Sequence, residues 1–259
     1  MLVGMSTPGT ALVTGPTAGI GLAFAHQLAA RGHDLVLVSR DNDRLTEVAD
    51  ELGDRHGVSA EVLAADLADR DATARVEARL ADRDRPVELL VNNAGFGLKR
   101  RFLDNDVAAE QQLLDVLVTA VLRLSHAALG PMVERGSGGI INVSSIAAFL
   151  PRGSYAAAKA WVNSFSAWAH QEYRPQGVRV MALCPGFVKT EFHPRMDVSR
   201  DSAPSWMWLE PDYLVRTALA DFDRGRAMSI PSRRYQAIAA VSRAVPRPLL
   251  QRAQRIGRG

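Results

Sequence analysis

Several features common in other protein classes are scarce or absent in this chain of 259 residues. It has one cysteine, Cys184, so no disulfide can form within the chain, and we expect a reducing, cytoplasmic location. No run of about 18 apolar residues occurs, and no basic segment followed by an apolar run opens the chain. The sequence therefore predicts neither a membrane-spanning helix nor a secretory signal.

Lysine is also scarce, although Lys and Arg together number 31 against 28 Asp and Glu. Only Lys99, Lys159 and Lys189 occur, so each is a candidate for a specific role. The basic residues are dispersed among acidic ones, which argues against a nucleic-acid partner. No metal site is predicted.

Short apolar runs alternate along the chain with longer helical patterns. Continuous apolar runs are typical of a parallel sheet that is buried on both faces. The predicted strands are 11–13, 35–38, 62–65, 89–91, 140–143, 178–183 and a short seventh at 229–230, and the predicted helices are 20–30, 43–52, 71–81, 108–135 and 155–173. This alternation predicts an α/β fold with one doubly wound, Rossmann-type parallel sheet of about seven strands and helices on both faces.

We expect residues 1–259 to form a single domain, because no linker divides the chain. Residues 190–209 are irregular and carry Phe192, Met196, Trp206, Met207 and Trp208. They are interpreted as a loop that covers the substrate. Residues 243–259 form a basic, proline-interrupted tail, which we expect to be a solvated end rather than a membrane-surface contact.

A glycine-rich turn lies between the first predicted strand and the first predicted helix. Its sequence is Thr-Gly-Pro-Thr-Ala-Gly-Ile-Gly over residues 14–21. Glycines let the backbone approach a ligand closely, and the N-terminus of the following helix favours a pyrophosphate. A turn that merely connects two elements is the less favoured alternative. The residues predicted to bind a dinucleotide here are Gly15, Thr17, Gly19, Ile20 and Gly21.

The end of the second strand indicates which dinucleotide is bound. Ser39 stands where enzymes that choose NAD often have a carboxylate, and the next residue, Arg40, suits a phosphate. NADP(H) is therefore favoured and NAD(H) remains possible, since Asp41 and Asp43 could neutralise Arg40 or contact the ribose.

Two further strand ends carry candidate cofactor residues. Asp66 and Leu67 follow the third strand, where the Asp could accept from an adenine amino group or cap the next helix. Asn93 follows the fourth strand in the sequence Asn-Asn-Ala-Gly, and it could hold the neighbouring strands together.

A tyrosine and a lysine share one face of the fifth predicted helix. Tyr155 and Lys159 are four residues apart, and a neighbouring ammonium is expected to lower the pKa of a phenol. Such a tyrosine can exchange a proton with a carbonyl oxygen. Ser144 and Ser145 end the fifth strand at the same edge of the sheet, and either hydroxyl could donate to that oxygen, although Ser145 is preferred.

Together these residues resemble the short-chain dehydrogenase/reductase family. The resemblance extends from Thr10 to about Ser232 and rests on the glycine turn, Asn-Asn-Ala-Gly at 92–95, Ser145, Tyr-x-x-x-Lys at 155–159 and Pro-Gly at 185–186. It implies a nicotinamide cofactor and a catalytic set of Ser145, Tyr155 and Lys159, with Tyr155 and Lys159 also close to the cofactor. It further implies that Val188 and Thr190 contact the nicotinamide carboxamide.

The chain departs from the family pattern at two places. The resemblance implies an Asn in the middle of the long fourth helix, where it helps to hold a proton-relay water, but this chain has Leu117. Ser145 lies ten residues before Tyr155, which is a few residues closer than is usual in the family, so the intervening loop must be tight.

The sequence predicts an NADP(H)-dependent oxidoreductase that interconverts a hydrophobic ketone, such as a ketoacyl, steroid-like or aromatic compound, and its secondary alcohol. The alternative is a cofactor-binding regulatory or scaffold protein with little catalysis, for which Leu117 is the support. The apolar residues of 190–209 fit either a substrate pocket or a core or subunit interface. Trp161, Phe165 and Trp168 form an apolar stripe, and a homodimer or homotetramer is expected.

Overall fold

A computed structural model describes residues 8–150, 152–190 and 204–244 of the chain. Phe192 and Met196 of the predicted substrate loop, and most of the predicted basic tail, lie outside the described residues.

Seven parallel strands form one sheet, as the apolar runs predict. The sheet order is β3-β2-β1-β4-β5-β6-β7. The order reverses between β1 and β4, and ligands of such sheets bind beyond the carboxyl ends of the strands at this point. The strands are β1 Thr10–Thr14, β2 Asp34–Ser39, β3 Ala60–Ala64, β4 Val87–Asn92, β5 Gly138–Val143, β6 Val178–Leu183 and β7 Met228–Ser229.

Helices cover both faces of the sheet because the strands are apolar on both sides. Along β1, Ala11 and Val13 pack against the helices of one face, while Leu12 packs against those of the other. The helices are α1 Gly19–Ala29, α2 Asn42–His56, α3 Arg70–Ala81, α4 Val107–Leu114, α5 Ala120–Arg135, α6 Gly153–Tyr173, α7 Pro211–Asp223 and α8 Arg233–Ala244. Helices α1, α2 and α7 share the first face, and α3, α5 and α6 share the second.

The long fourth helix is not uniform, contrary to the prediction for 108–135. A π-helical turn, Asp115–Thr119, joins α4 to α5. The whole stretch of 107–135 is long and apolar enough to cross a membrane by length and composition, but 56% of its apolar window is buried inside the protein. This burial is what a core helix shows, and α5 packs on α3 and on the central strands.

Sequence reasoning missed helices α7 and α8. The signal for α7 was present: Pro211 occupies its first turn, and Leu214, Val215, Ala218 and Phe222 follow at helical spacing. The end of the predicted substrate loop is held beside the segment that follows β6, because Leu209 forms a parallel β-bridge with Val188.

Candidate active site

The glycine turn has the backbone shape that the sequence predicts. Gly15 and Gly19 adopt positive φ angles of 66° and 56°, which favour glycine. A Cβ at Gly21 would lie 2.0 Å from the Gly15 carbonyl oxygen, so only glycine fits there. Ala18 precedes α1 and provides no side-chain cap. The first N–H groups of α1 are therefore available to a phosphate, and the turn fits a dinucleotide.

Asn93 holds the turn against β4, as predicted. Its Nδ2 donates to the carbonyl oxygens of Thr14 at 2.9 Å and Gly15 at 3.1 Å. The Thr14 hydroxyl in turn accepts from the backbone N–H groups of Asn93 and Ala94, both at 2.9 Å. These bonds lock the ends of β1 and β4 together at the reversal of strand order.

Of the other predicted cofactor residues, Thr190 lies beside the glycine turn, whereas Leu67 and Val188 are buried. Thr190 lies so close that a Cβ at Gly19 would be 2.8 Å from its methyl carbon, which brings the segment after β6 to the glycine turn. Ile20 packs against the core at the start of α1. The side chains of Leu67 and Val188 are buried in the core, so they can present only backbone atoms to a ligand.

Arg40 is exposed just after the end of β2, as a role in phosphate binding requires. Its side chain is 72% exposed and lies 3.8 Å from the Asp66 carboxylate. The ion pair of Arg40 is therefore with Asp66, while the Asp41 side chain accepts from the backbone N–H of Arg44 as the N-cap of α2. Asp66 is not the cap of α3: Asp69 occupies that position, and Asp66 accepts from the Ala68 N–H at 3.0 Å.

The two serines after β5 have different partners. The buried Ser144 hydroxyl donates to the Lys159 carbonyl oxygen at 2.9 Å. Ser145 hydrogen-bonds the Tyr155 hydroxyl, and its Oγ also accepts from the Ala147 N–H. Ser145 is therefore the serine beside the tyrosine, and a tight 3-10 turn at Ile146–Phe149 accommodates the short spacing.

Lys159 is buried under the tyrosine ring. Its Nζ lies 5.8 Å from the ring centroid and donates to the Val143 carbonyl oxygen at 2.7 Å. Burial lowers the pKa of Lys159 to about 8, against a smaller opposing electrostatic contribution from nearby Cys184.

The expected lowering of the tyrosine pKa is wrong for this structure. Burial raises the pKa of Tyr155 to about 12, against a smaller lowering by the hydrogen bond with Ser145. Tyr155 as a residue is half-buried, and the protein atoms around its hydroxyl disfavour the charged phenolate. Desolvation of the phenolate dominates because Lys159 faces the ring and the Val143 carbonyl.

Leu117 closes the space beside this group. It is fully buried in the π turn, and a Cβ at Gly95 would lie 2.9 Å from its methyl group. It belongs to an apolar cluster that includes Leu113, Ala158, Phe96, Leu98 and Tyr155. An apolar wall therefore occupies the position at which the resemblance implied a water-binding Asn.

Tyr235 on α8 supports the site, although no motif pointed to it. Its hydroxyl accepts from the Phe187 N–H at 2.9 Å and donates to the Met207 carbonyl oxygen at 2.8 Å. Its ring covers Gly186, where a Cβ would be 2.0 Å away. Tyr235 thus joins the segment after β6 to residues 205–207.

Aromatic residues near the site fall into two groups. Phe187 and Trp208 pack with ring centroids 5.2 Å apart near the segment after β6. On α6, Trp161 stacks on Phe165 at 5.0 Å, and Trp168 at the end of this stripe is half exposed. The first group adds apolar surface beside the site, and the second lies along the helix that carries Tyr155.

Comparison with known proteins gives consistent matches. The family model described as short chain dehydrogenase matches residues 9–200. The very-long-chain 3-oxoacyl-CoA reductase of Bos taurus is 32% identical over 247 residues, covering 91% of this chain and 75% of that protein. Matches to reductases of the same name from other vertebrates span 60–67% of their length.

Solved structures agree in fold and in sequence. A short-chain dehydrogenase from Sphingobium yanoikuyae in complex with NADPH has a TM-score of 0.84 and 35% identity, covering 91% of this chain and 94% of that one. The bulky-bulky ketone specific alcohol dehydrogenase from Comamonas testosteroni has a TM-score of 0.80 and 30% identity, with 92% and 94% covered. The chain therefore belongs to the short-chain dehydrogenase family of oxidoreductases.

Proposed function

We propose that this chain is an NADP(H)-dependent reductase and dehydrogenase that interconverts a hydrophobic ketone and its secondary alcohol. The observation that carries the proposal is the grouping of Ser145, Tyr155 and Lys159 at the carboxyl edge of the sheet, next to the dinucleotide turn. When bound, the nicotinamide supplies or accepts the hydride at the substrate carbon.

The three side chains have complementary roles in reduction. Ser145 and Tyr155 both donate to the substrate carbonyl oxygen, and Tyr155 transfers its proton to that oxygen as the carbon gains hydride. A pKa of about 12 keeps Tyr155 protonated at neutral pH, which is the form that reduction requires. Lys159, with a pKa of about 8, is mostly cationic at pH 7 and lies 5.8 Å from the Tyr155 ring centroid, where it would donate to the ribose of the bound cofactor rather than lower the tyrosine pKa.

The choice of NADP(H) is supported by Arg40 and by the absence of a carboxylate at Ser39. An exposed guanidinium at this strand end can donate two hydrogen bonds to a 2′-phosphate. The related Sphingobium yanoikuyae structure contains NADPH, which agrees with this choice.

A hydrophobic substrate is supported by the walls of the site. Phe96 and Leu98 pack against the same apolar cluster as Tyr155, and Phe187 packs with Trp208 near the segment after β6. Relatives named for 3-oxoacyl-CoA and for bulky-bulky ketones favour a ketoacyl compound or another bulky ketone. A homodimer or homotetramer and a cytoplasmic location remain predictions.

The test is a panel of ketones assayed with NADPH. Binding of NADPH is first measured by its fluorescence, and oxidation is then followed by absorbance with 3-oxodecanoyl-CoA, propiophenone and androstenedione. We expect at least one of the three to be reduced and NADPH to bind more tightly than NADH. NADPH binding without reduction of any of them would instead favour the scaffold alternative, and binding of neither dinucleotide would refute both.

A further inference from the structure

The helix turn that carries Tyr155 is not capped by its own N-cap residue. Arg152 occupies the N-cap position of α6 and its side chain makes no capping hydrogen bond. Gly153 follows at a positive φ of 77°, and Ser154 is the residue before Tyr155. Glycine at the start of a helix leaves the backbone freer than other residues do, so an outside contact is needed to hold this turn.

Glu110 on α4 makes that contact. The Ser154 hydroxyl donates to Glu110 Oε2 at 2.5 Å, and Asn105 Nδ2 donates to Glu110 Oε1 at 2.7 Å. Glu110 is only 7% exposed. Each carboxylate oxygen therefore accepts a hydrogen bond from a neutral side chain, and the three residues join α4, the segment before it and the first turn of α6.

Burial of the Glu110 carboxylate costs free energy, which suggests that its negative charge serves a function. Within residues 8–150, 152–190 and 204–244, no Lys, Arg or His lies within ion-pair distance of Glu110. A buried carboxylate without a cation loses much of its hydration, and a neutral side chain would fill the same space at lower cost. The positive end of the α6 dipole offsets part of this cost, since Ser154 lies in the first turn.

We infer that Glu110 is a positioning residue for the proton donor. Through Ser154 it fixes the first turn of α6 and so the placement of the Tyr155 ring over Lys159 and beside Ser145. Glu110 does not touch the reacting atoms. The inference rests on the proposed function for its kinetic consequence, but the ordering of the helix turn can be measured without turnover.

The experiment compares Glu110→Leu with the conservative variant Glu110→Gln. Glu110→Leu removes both acceptors, so Ser154 and Asn105 each lose their partner on α4. Glu110→Gln keeps both contacts as weaker, neutral hydrogen bonds, because its amide oxygen accepts from Asn105 Nδ2 and its amide N–H donates to the Ser154 hydroxyl. Glu77→Gln is the matched control, because Glu77 joins α3 to α5 through Arg123 at 2.9 Å and does not contact α6.

Three quantities are measured on each variant. Hydrogen exchange by mass spectrometry reports the order of residues 153–158, NADPH fluorescence reports cofactor affinity, and steady-state kinetics with the ketone turned over in the panel report kcat. We expect Glu110→Leu to speed exchange at 153–158 and to lower kcat roughly tenfold, with NADPH affinity unchanged. Glu110→Gln should lie between the parent and Glu110→Leu in both properties, and Glu77→Gln should change neither.

Two results would overturn the inference. One is unchanged exchange at 153–158 in Glu110→Leu. The other is a loss in Glu110→Gln as large as that in Glu110→Leu, accompanied by weaker NADPH binding, because that combination indicates general destabilisation. If no ketone of the panel is reduced, the proposed function fails, while the exchange measurement still decides whether Glu110 orders the turn.

Discussion

Replacement of Tyr155 by Phe removes one hydroxyl and leaves the ring in place. The ring packs against the cluster of Leu113, Leu117 and Ala158, so the apolar contacts survive. The hydroxyl is bonded to Ser145, and a single neutral hydrogen bond of this kind contributes about 1 kcal/mol net to stability. We therefore expect Tyr155→Phe to fold, with a free energy of unfolding within about 1.5 kcal/mol of the parent.

The effect on turnover should be much larger than the effect on folding. A positioned general acid accelerates proton transfer by roughly 10²–10⁴-fold, which corresponds to about 3–5 kcal/mol of the activation barrier. The reference assay is NADPH absorbance with the ketone that the panel identifies, and urea unfolding measures stability in parallel. NADPH affinity should stay within about twofold, because the glycine turn and Arg40 are untouched.

Substantial residual activity in Tyr155→Phe would contradict the role of Tyr155 as proton donor. If Tyr155→Phe keeps more than a tenth of the parent kcat, another group supplies the proton. Ser145→Ala is the companion variant: it leaves Tyr155 in place but removes its hydrogen-bond partner, and it should also lower kcat. A loss of NADPH binding that matches the loss of activity would show that the hydroxyl acts in cofactor binding rather than in proton transfer.

Three other predictions follow from the same geometry. Arg40→Ala should weaken NADPH binding roughly tenfold and leave NADH binding nearly unchanged, and equal losses for both would refute the 2′-phosphate role. For Lys159, the folded pKa of about 8 lies below the unfolded value of 10.5. Between these two pH values the unfolded state binds more protons than the folded state, so the free energy of unfolding rises with pH from 8 to about 10. Urea unfolding of the parent relative to Lys159→Met should show this rise, on the order of 1–3 kcal/mol, and a flat difference would contradict it. Tyr235→Phe deprives the Phe187 N–H of its acceptor and should cost about 1–2 kcal/mol of stability and weaken NADPH binding, whereas Tyr213→Phe on the exposed side of α7 should do neither.

Local sequence patterns were enough to predict the strands, the dinucleotide turn and the pairing of Tyr155 with Lys159. These follow from local properties: apolar runs long enough for one strand, glycines at positions of positive φ, and a four-residue spacing on one helix. The order of the sheet then brings the ends of β1, β4 and β5 to one edge, which the alternation of strands and helices already implied.

The tertiary structure alone decided which serine faces the tyrosine, and the direction in which the pKa of Tyr155 moves. Adjacent serines have the same chemistry, and only the packing of α6 on β5 turns Ser144 toward the Lys159 carbonyl. The pKa depends on how completely the surrounding chain excludes water from the hydroxyl, which spacing along a helix does not specify. Glu110 and Tyr235 could not be identified from the sequence for the same reason. Glu110 acts through a partner 44 residues away in the chain, and Tyr235 through one 48 residues away.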